Sequence, residues 1–238
     1  KTLFPYTTLF RSLVKAASVG LANATPHQRA AALHNIAKLL IERTAEIIAA
    51  NSKDIERGQS NDMTVSTQDR IRLDAKRIQA ISESVTKITT LPDPLGDVLR
   101  GMTLPNGLKL TQIRVPLGVV GVIYEARPNV TIDIAVLAIK SGNAVVLRGG
   151  RDAQSSNEVL VKLLQDALAQ AGLSSDAVHT LDEFGREGGV EMMKAVGLID
   201  VLIPRGSAGL IQAVVEESKV PVIQTGDGLV HIFVDETA

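Results

Sequence analysis

Between Pro116 and Arg151 the chain reads PLGVVGVIYEARPNVTIDIAVLAIKSGNAVVLRGGR, and no other stretch limits its possible folds so tightly. Gly118–Tyr124 is a short apolar run with β-branched residues, Glu125–Asn129 is a polar elbow, and Thr131–Lys140 has helical character. Ser141, Gly142 and Asn143 stop that helix. A second apolar run, Ala144–Leu147, then opens into Arg148, Gly149, Gly150 and Arg151. Two apolar strands joined by a helical crossover make a βαβ unit, whose strands run parallel and are buried on both faces. Ligands of such sheets sit outside the carboxyl ends of the strands. Both elbows lie there, and they carry Arg127, Arg148 and Arg151.

The sequence on either side extends this pattern. Ser155–Ala171 reads as an amphipathic helix ended by Gly172. Short strands are predicted near Val178–Leu181, Val201–Ile203, Val220–Ile223 and Leu229–Val234, with helices over Gly188–Val196 and Ser207–Glu217. Such alternation defines an open, doubly wound α/β sheet. Upstream, a helix is predicted over Leu13–Ala22. Thr25, Pro26 and Gln28 then make a capping-box start for a second helix, with Leu33, Ile36, Leu40 and Ile47 at helical spacing. Asn51–Ser66 is polar and broken by Gly58. A third helix starts near Gln68, with Ile71, Ile78, Ile81, Val85 and Ile88 on one stripe. Val98–Val115 reads as a β-hairpin around Pro105, Asn106 and Gly107. Residues 2–12, TLFPYTTLFRS, hold two of the four phenylalanines yet show neither helical nor strand period. They resemble a translated adaptor oligonucleotide, the alternative being a disordered N-terminus, and residues 1–12 are set apart from the fold.

Composition narrows the function. With 238 residues, 45% hydrophobic and 21% charged, the chain has material for a large core or two domains. A net charge of −1 gives no electrostatic footprint for nucleic acid, so no such partner is expected. No apolar run approaches the roughly 20 residues of a membrane-spanning helix. The absence of cysteine excludes disulfides, thiolate metal sites and a cysteine nucleophile within these residues. The four histidines are scattered without metal-ligand spacing, and no metal site is expected.

Three turns carry candidate chemistry. The loop from Arg148 to Arg151 suits a phosphate or ribose, because glycines admit a close approach and a guanidinium clamps phosphate; it also reads as a plain solvated connection. Pro204–Gly209, again strand to helix, offers the free amides of a helix start near Ser207 to an anion; it also reads as a serine N-cap with glycine for packing. Neither is GxGxxG, and GSAG lacks the first glycine of a serine hydrolase elbow. In the third turn, Pro128 and Asn129 read from the residues alone as a cap for the following helix.

The segments IYEARPNVTID, KSGNAVVLRGG and IPRGSAGLI resemble the γ-glutamyl phosphate reductase (glutamate-5-semialdehyde dehydrogenase) family of the aldehyde dehydrogenase superfamily, a likeness running from about Ala16 to the last residue. It implies an aldehyde-dehydrogenase-like fold: a helical region over 13–97, the hairpin at 98–115 belonging to a bridging and oligomerisation sheet, and an NADP-binding α/β domain over 116–238. It implies that Arg148, Gly149 and Arg151 meet the adenosine ribose and its 2′-phosphate. Gly206 and Ser207 then meet the pyrophosphate, and Asn129 stabilises the oxyanion. The implied reaction is NADPH-dependent reduction of L-glutamyl 5-phosphate to L-glutamate 5-semialdehyde in proline biosynthesis, by a cytoplasmic homo-oligomer. Gln224 falls where aldehyde dehydrogenases carry a glutamate that activates water. A glutamine cannot take that proton, which fits acyl phosphate chemistry. The family's nucleophile is a cysteine beyond the last residue here. The expectation is therefore a chain cut before its catalytic domain and inactive alone. A non-catalytic nucleotide-binding module, half of a kinase–reductase fusion and a reductase of CoA thioesters remain as alternatives.

Overall fold

The computed structural model describes residues 3–125, 127–224 and 231–236, without the side chains of residues 3–11. Five helices come first: α1 (Leu3–Ala22), α2 (Pro26–Glu42), α3 (Thr44–Ser60), α4 (Val65–Ile71) and α5 (Ala75–Thr90). α1 starts ten residues ahead of the helix read from the sequence. Its Pro5 falls in the first turn, where a missing N–H costs no intrahelical bond. α2 opens on the expected capping box: Gln28 N donates to Thr25 Oγ1 at 3.2 Å and Thr25 N donates to Gln28 Oε1 at 3.0 Å. The helix expected to run on through Ile47 breaks instead at Arg43, whose backbone leaves the helical region. Thr44 Oγ1 turns back onto the Leu40 and Ile41 carbonyls at that break. Leu33, Ile36 and Leu40 of α2 and Ile47 of α3 are nonetheless all fully buried. α3 runs through Gly58, against which the Met63 side chain packs closely. The stripe from Ile71 to Ile88 is likewise split, with Asp74 capping α5 through the Arg77 amide at 2.8 Å.

The hairpin is β1 (Val98–Thr103) and β2 (Lys109–Ile113), antiparallel, with every residue exposed. The α/β region follows: β3 (Val119–Tyr124), α6 (Pro128–Lys140), β4 (Ala144–Arg148), α7 (Gln154–Gln170), β5 (Val178–Thr180), α8 (Gly185–Met193), β6 (Val201–Arg205) and α9 (Ala208–Glu217). Its four strands are all parallel, in the order β5-β4-β3-β6. β3 is buried at every residue, as a parallel strand covered on both faces should be. The order runs outward from β3 through β4 to β5 and then returns to β6. Right-handed crossovers therefore place α6 and α7 on one face and α8 on the other. Met192 of α8 accordingly stands close to Gly121 of β3, where a Cβ would lie 3.1 Å from its Cε. The strand expected over 220–223 shrinks to a single bridge between Leu202 and Val222. Of the strand expected over 229–234, residues 229 and 230 lie outside the described residues, and 231–234 form no strand.

Candidate functional site

The strand order reverses between β3 and β6, and a crevice opens beyond their carboxyl ends, as it must at such a switch point. The cavity there measures about 710 Å³, and Arg148, Gly206 and Ser207 all line it. The remaining residues singled out from the sequence are distributed around it. Arg151 lines an adjoining cavity of about 430 Å³ with Arg57, the two spaces sharing Asp152. Asn129 lines a third, of about 380 Å³, with Arg127. Gly149 faces inward and is buried.

Each turn has a physical anchor. Arg148 donates Nε to the Gly185 carbonyl at 3.1 Å, and its terminal nitrogens make no hydrogen bond among the described residues. Beneath it runs a buried chain of polar groups. Tyr124 Oη lies 2.6 Å from Thr131 Oγ1, which donates to Asn157 Oδ1 at 2.9 Å; Asn157 Nδ2 donates to Asp182 Oδ2 at 2.8 Å. Asp182 Oδ1 closes the chain by accepting from Gly149 N at 2.6 Å. Burial raises the Asp182 carboxyl above the usual carboxylate range, against the opposing pull of Asn157, Gly149, Thr180 and Arg148. Burial likewise pushes the Tyr124 phenol upward. On the far side of the loop, buried Asp54 of α3 caps α7. It accepts from the Ser155 and Ser156 amides at 3.0 and 2.8 Å and from Ser156 Oγ at 2.7 Å. Arg57 pairs with Asp54 and donates to the Arg151 carbonyl at 3.1 Å.

Two side chains to which the sequence reading gave no role stand in the site. Glu125 Oε1 accepts from Ser207 N at 2.9 Å and from Ser207 Oγ at 2.6 Å, so a carboxylate already occupies the start of α9. Those two bonds, with Arg70 and Arg127 nearby, hold the Glu125 carboxyl below its ordinary range. Gly206 makes room for it, since a Cβ there would come within 2.7 Å of the Glu125 carboxyl carbon. Ser207 itself makes no side-chain cap to α9. The second is Arg70 of α4, a residue of the helical region that reaches both the main and the third cavity. The basic run Arg70, Arg72, Lys76 and Arg77 was the available signal, but such a run ordinarily reads as a solvated face. Asn129 does not cap α6, which has Arg127 at its N-cap and Pro128 in the first turn. Its Nδ2 donates instead to Asp133 Oδ2 at 3.1 Å, leaving its second N–H unclaimed among the described residues. Gln224 is exposed, and residues 225–228 of its turn lie outside the described residues. Among the described residues no helix is long and apolar enough to cross a membrane.

Parallel strands with a switch-point crevice, helix-start amides and arginines at the strand ends define a dinucleotide-binding architecture. The model of the aldehyde dehydrogenase family matches residues 10–232, and the chain belongs to that family. Within it, the chain is 56% identical over 227 residues to the γ-glutamyl phosphate reductase of Leifsonia xyli, covering 95% of this chain and 54% of that protein. It is 51% identical over 231 residues to the γ-glutamyl phosphate reductase of Thermobifida fusca, covering 96% of this chain and 55% of that protein. The crystal structure of γ-glutamyl phosphate reductase from Thermotoga maritima superposes with a TM-score of 0.90 at 36% identity, over 93% of this chain and 54% of that one. The chain thus spans about half the length of the curated relatives it matches.

Proposed function

We propose that this chain is the cofactor-binding side of an NADP-dependent reductase of acyl phosphates, acting on L-glutamyl 5-phosphate to give L-glutamate 5-semialdehyde in cytoplasmic proline biosynthesis. The observation that carries this reading is the presence of Arg148 and Ser207 in one crevice at the strand-order switch. The donors there suit a phosphorylated dinucleotide. The start of α9 takes the pyrophosphate through the Ser207 amide and hydroxyl, with Gly206 allowing the backbone to come close. Arg148 and Arg151 take the adenosine ribose and its 2′-phosphate. When bound, the cofactor supplies the hydride. Asn129 orients the acyl oxygen, and Gln224, unable to accept a proton from water, leaves the acyl group for exchange with phosphate. With no cysteine among its 238 residues, the chain alone is expected to turn over no substrate. The exposed hairpin of β1 and β2 supports a homo-oligomer, because a lone two-stranded ribbon is marginal in water and its edges invite pairing.

Titrating the chain with NADPH and NADH tests the cofactor reading. NADPH is expected to bind about tenfold or more tightly, and Arg148→Ala or Arg151→Ala should each remove roughly that advantage while leaving NADH within about twofold. Equal affinities in the unaltered chain would overturn it.

Glu125 makes a separate prediction. Its carboxylate and a pyrophosphate compete for the same Ser207 donors, so Glu125→Gln is expected to tighten NADPH binding by about threefold or more. The sign follows from the lowered carboxyl: the Glu125–Ser207 contact is fully formed above the ordinary glutamate range and is lost as pH falls through the folded-state value. Acidification into that range should therefore close the gap between parent and variant. A variant that binds NADPH no better than the parent at neutral pH would show that Glu125 does not stand in the cofactor's way.

A further inference from the structure

Arg70 and Arg127 come from different parts of the described fold, one on α4 and one in the turn between β3 and α6. Both line the main crevice and also the third cavity of about 380 Å³. They therefore stand where the two spaces meet. The third cavity is closed further by Arg72, Arg77 and Asn129, over apolar side chains of Leu73 and Ile81 that are almost fully buried. Its charges are not balanced. Arg77 donates to Asp69 Oδ1 at 2.7 Å and to the Arg72 carbonyl at 3.0 Å, so Arg77 and Asp69 compensate each other. The side chains of Arg70, Arg72 and Arg127 make no hydrogen bond or salt bridge among the described residues, although the charge of Glu125 reaches Arg70 and Arg127. Glu125 in the crevice gives its hydrogen-bonding oxygen to Ser207. Three guanidinium groups around one small space, two of them sharing the single charge of Glu125, repel each other and attract anions.

We propose that this cavity is the subsite that selects the substrate: an acyl phosphate bearing a second anionic group across a short methylene chain. Arg70 and Arg127 hold the phosphoryl group where the cavity meets the cofactor crevice. Arg72 takes the distal carboxylate, the methylenes lie on Leu73 and Ile81, and the acyl oxygen falls to the free N–H of Asn129. The inference rests on the acyl phosphate reading above and adds the residues that decide which acyl phosphate is accepted. Arg77, committed to Asp69, serves to hold Arg72 in place from below and is a positioning residue.

The test uses a stable mimic of L-glutamyl 5-phosphate in which methylene replaces the bridging oxygen. Its affinity for the chain is measured calorimetrically beside the same acyl phosphonate lacking the amino-acid end, and beside L-glutamate. The complete mimic is expected to bind about tenfold more tightly than either partial probe. Arg70→Ala and Arg127→Ala should each weaken the mimic and the truncated phosphonate alike by roughly tenfold. Arg72→Ala should weaken only the complete mimic, bringing it level with the truncated phosphonate. Arg100→Ala, on the exposed hairpin, is the control and should change nothing. All three arginines are exposed and their side chains hold no hydrogen bond among the described residues, so unchanged circular dichroism is expected and separates lost contacts from lost fold. Failure of the unaltered chain to bind the mimic, or an Arg72→Ala chain that still prefers it over the truncated phosphonate, would overturn the proposal. NADPH titration is run in parallel: binding of NADPH without the mimic sinks this subsite alone. Binding of the mimic without NADPH sinks the cofactor reading and leaves the subsite standing.

Discussion

Asp182→Ala is expected to lower the free energy of unfolding by about 3 kcal/mol, seen as a lower urea midpoint at unchanged slope. Asp182 is only 5% exposed and accepts from two donors that have no other acceptor among the described residues, the Gly149 amide and Asn157 Nδ2. Removing an acceptor of that kind leaves buried donors unsatisfied, and each costs about 1–3 kcal/mol. Asp182→Asn should cost less, since one oxygen still accepts from Gly149 while its new amide opposes that of Asn157. The two variants also differ in pH dependence. Because burial raises the Asp182 carboxyl in the folded chain, the folded state takes up its proton first as pH falls. Its stabilising contribution is therefore largest below the unfolded carboxylate value, and it declines as pH rises through the folded one. Relative to the parent, the Asn variant should show its greatest deficit in acid and a smaller one near neutrality. A midpoint for Asp182→Ala within about 0.5 kcal/mol of the parent would mean that water replaces the carboxylate and that the network holds nothing in place.

This network marks the limit of what the residues announce in sequence. The βαβ unit was legible because a strand buried on both faces must be apolar throughout, and Val119–Tyr124 and Ala144–Leu147 are. The capping box at Thr25 and the hairpin turn at Asn106 and Gly107 were legible because their chemistry is local. The break at Arg43 was not: the apolar spacing continues across it, and only packing of α2 and α3 as separate helices reveals it. The partners of the site turns were equally hidden. Glu125 and Ser207 are 82 residues apart, Gly149 and Asp182 are 33 apart, and Asp54 reaches Ser155 across 101. No pattern of hydrophobicity or turn propensity encodes such pairs, which exist only once the sheet has set its strand order. Arg70 belongs with them, since a helical arginine reads as solvated until α4 is laid beside the crevice.

Gly149 turns that distinction into a measurable expectation. Read from the sequence, its lack of a side chain serves the close approach of a ribose or phosphate. In the fold its bare Cα faces the core instead: an added Cβ would lie 2.3 Å from Asn157 Nδ2 and 3.0 Å from Tyr124 Cζ. Both neighbours are buried and hydrogen-bonded, so neither can swing away. Gly149→Ala must displace Asn157 from Asp182 or lift the loop that carries Arg148 and Arg151. Overpacking of this kind costs about 1–3 kcal/mol, and the lost hydrogen bond adds about 1 kcal/mol. The expected result is a thermal midpoint lower by several degrees, on the order of 5–10 °C, accompanied by weaker NADPH binding. Gly206→Ala is the informative contrast. Its Cβ would meet only the end of the exposed Glu125 side chain, which can rotate off Ser207, so stability should hardly change. Combining Gly149→Ala with Asn157→Ala relieves the clash, and the double variant should be more stable than the sum of the two single losses predicts. Strict additivity would place the strain elsewhere than on Asn157, and would detach the conformation of the Arg148 loop from the buried chain beneath it.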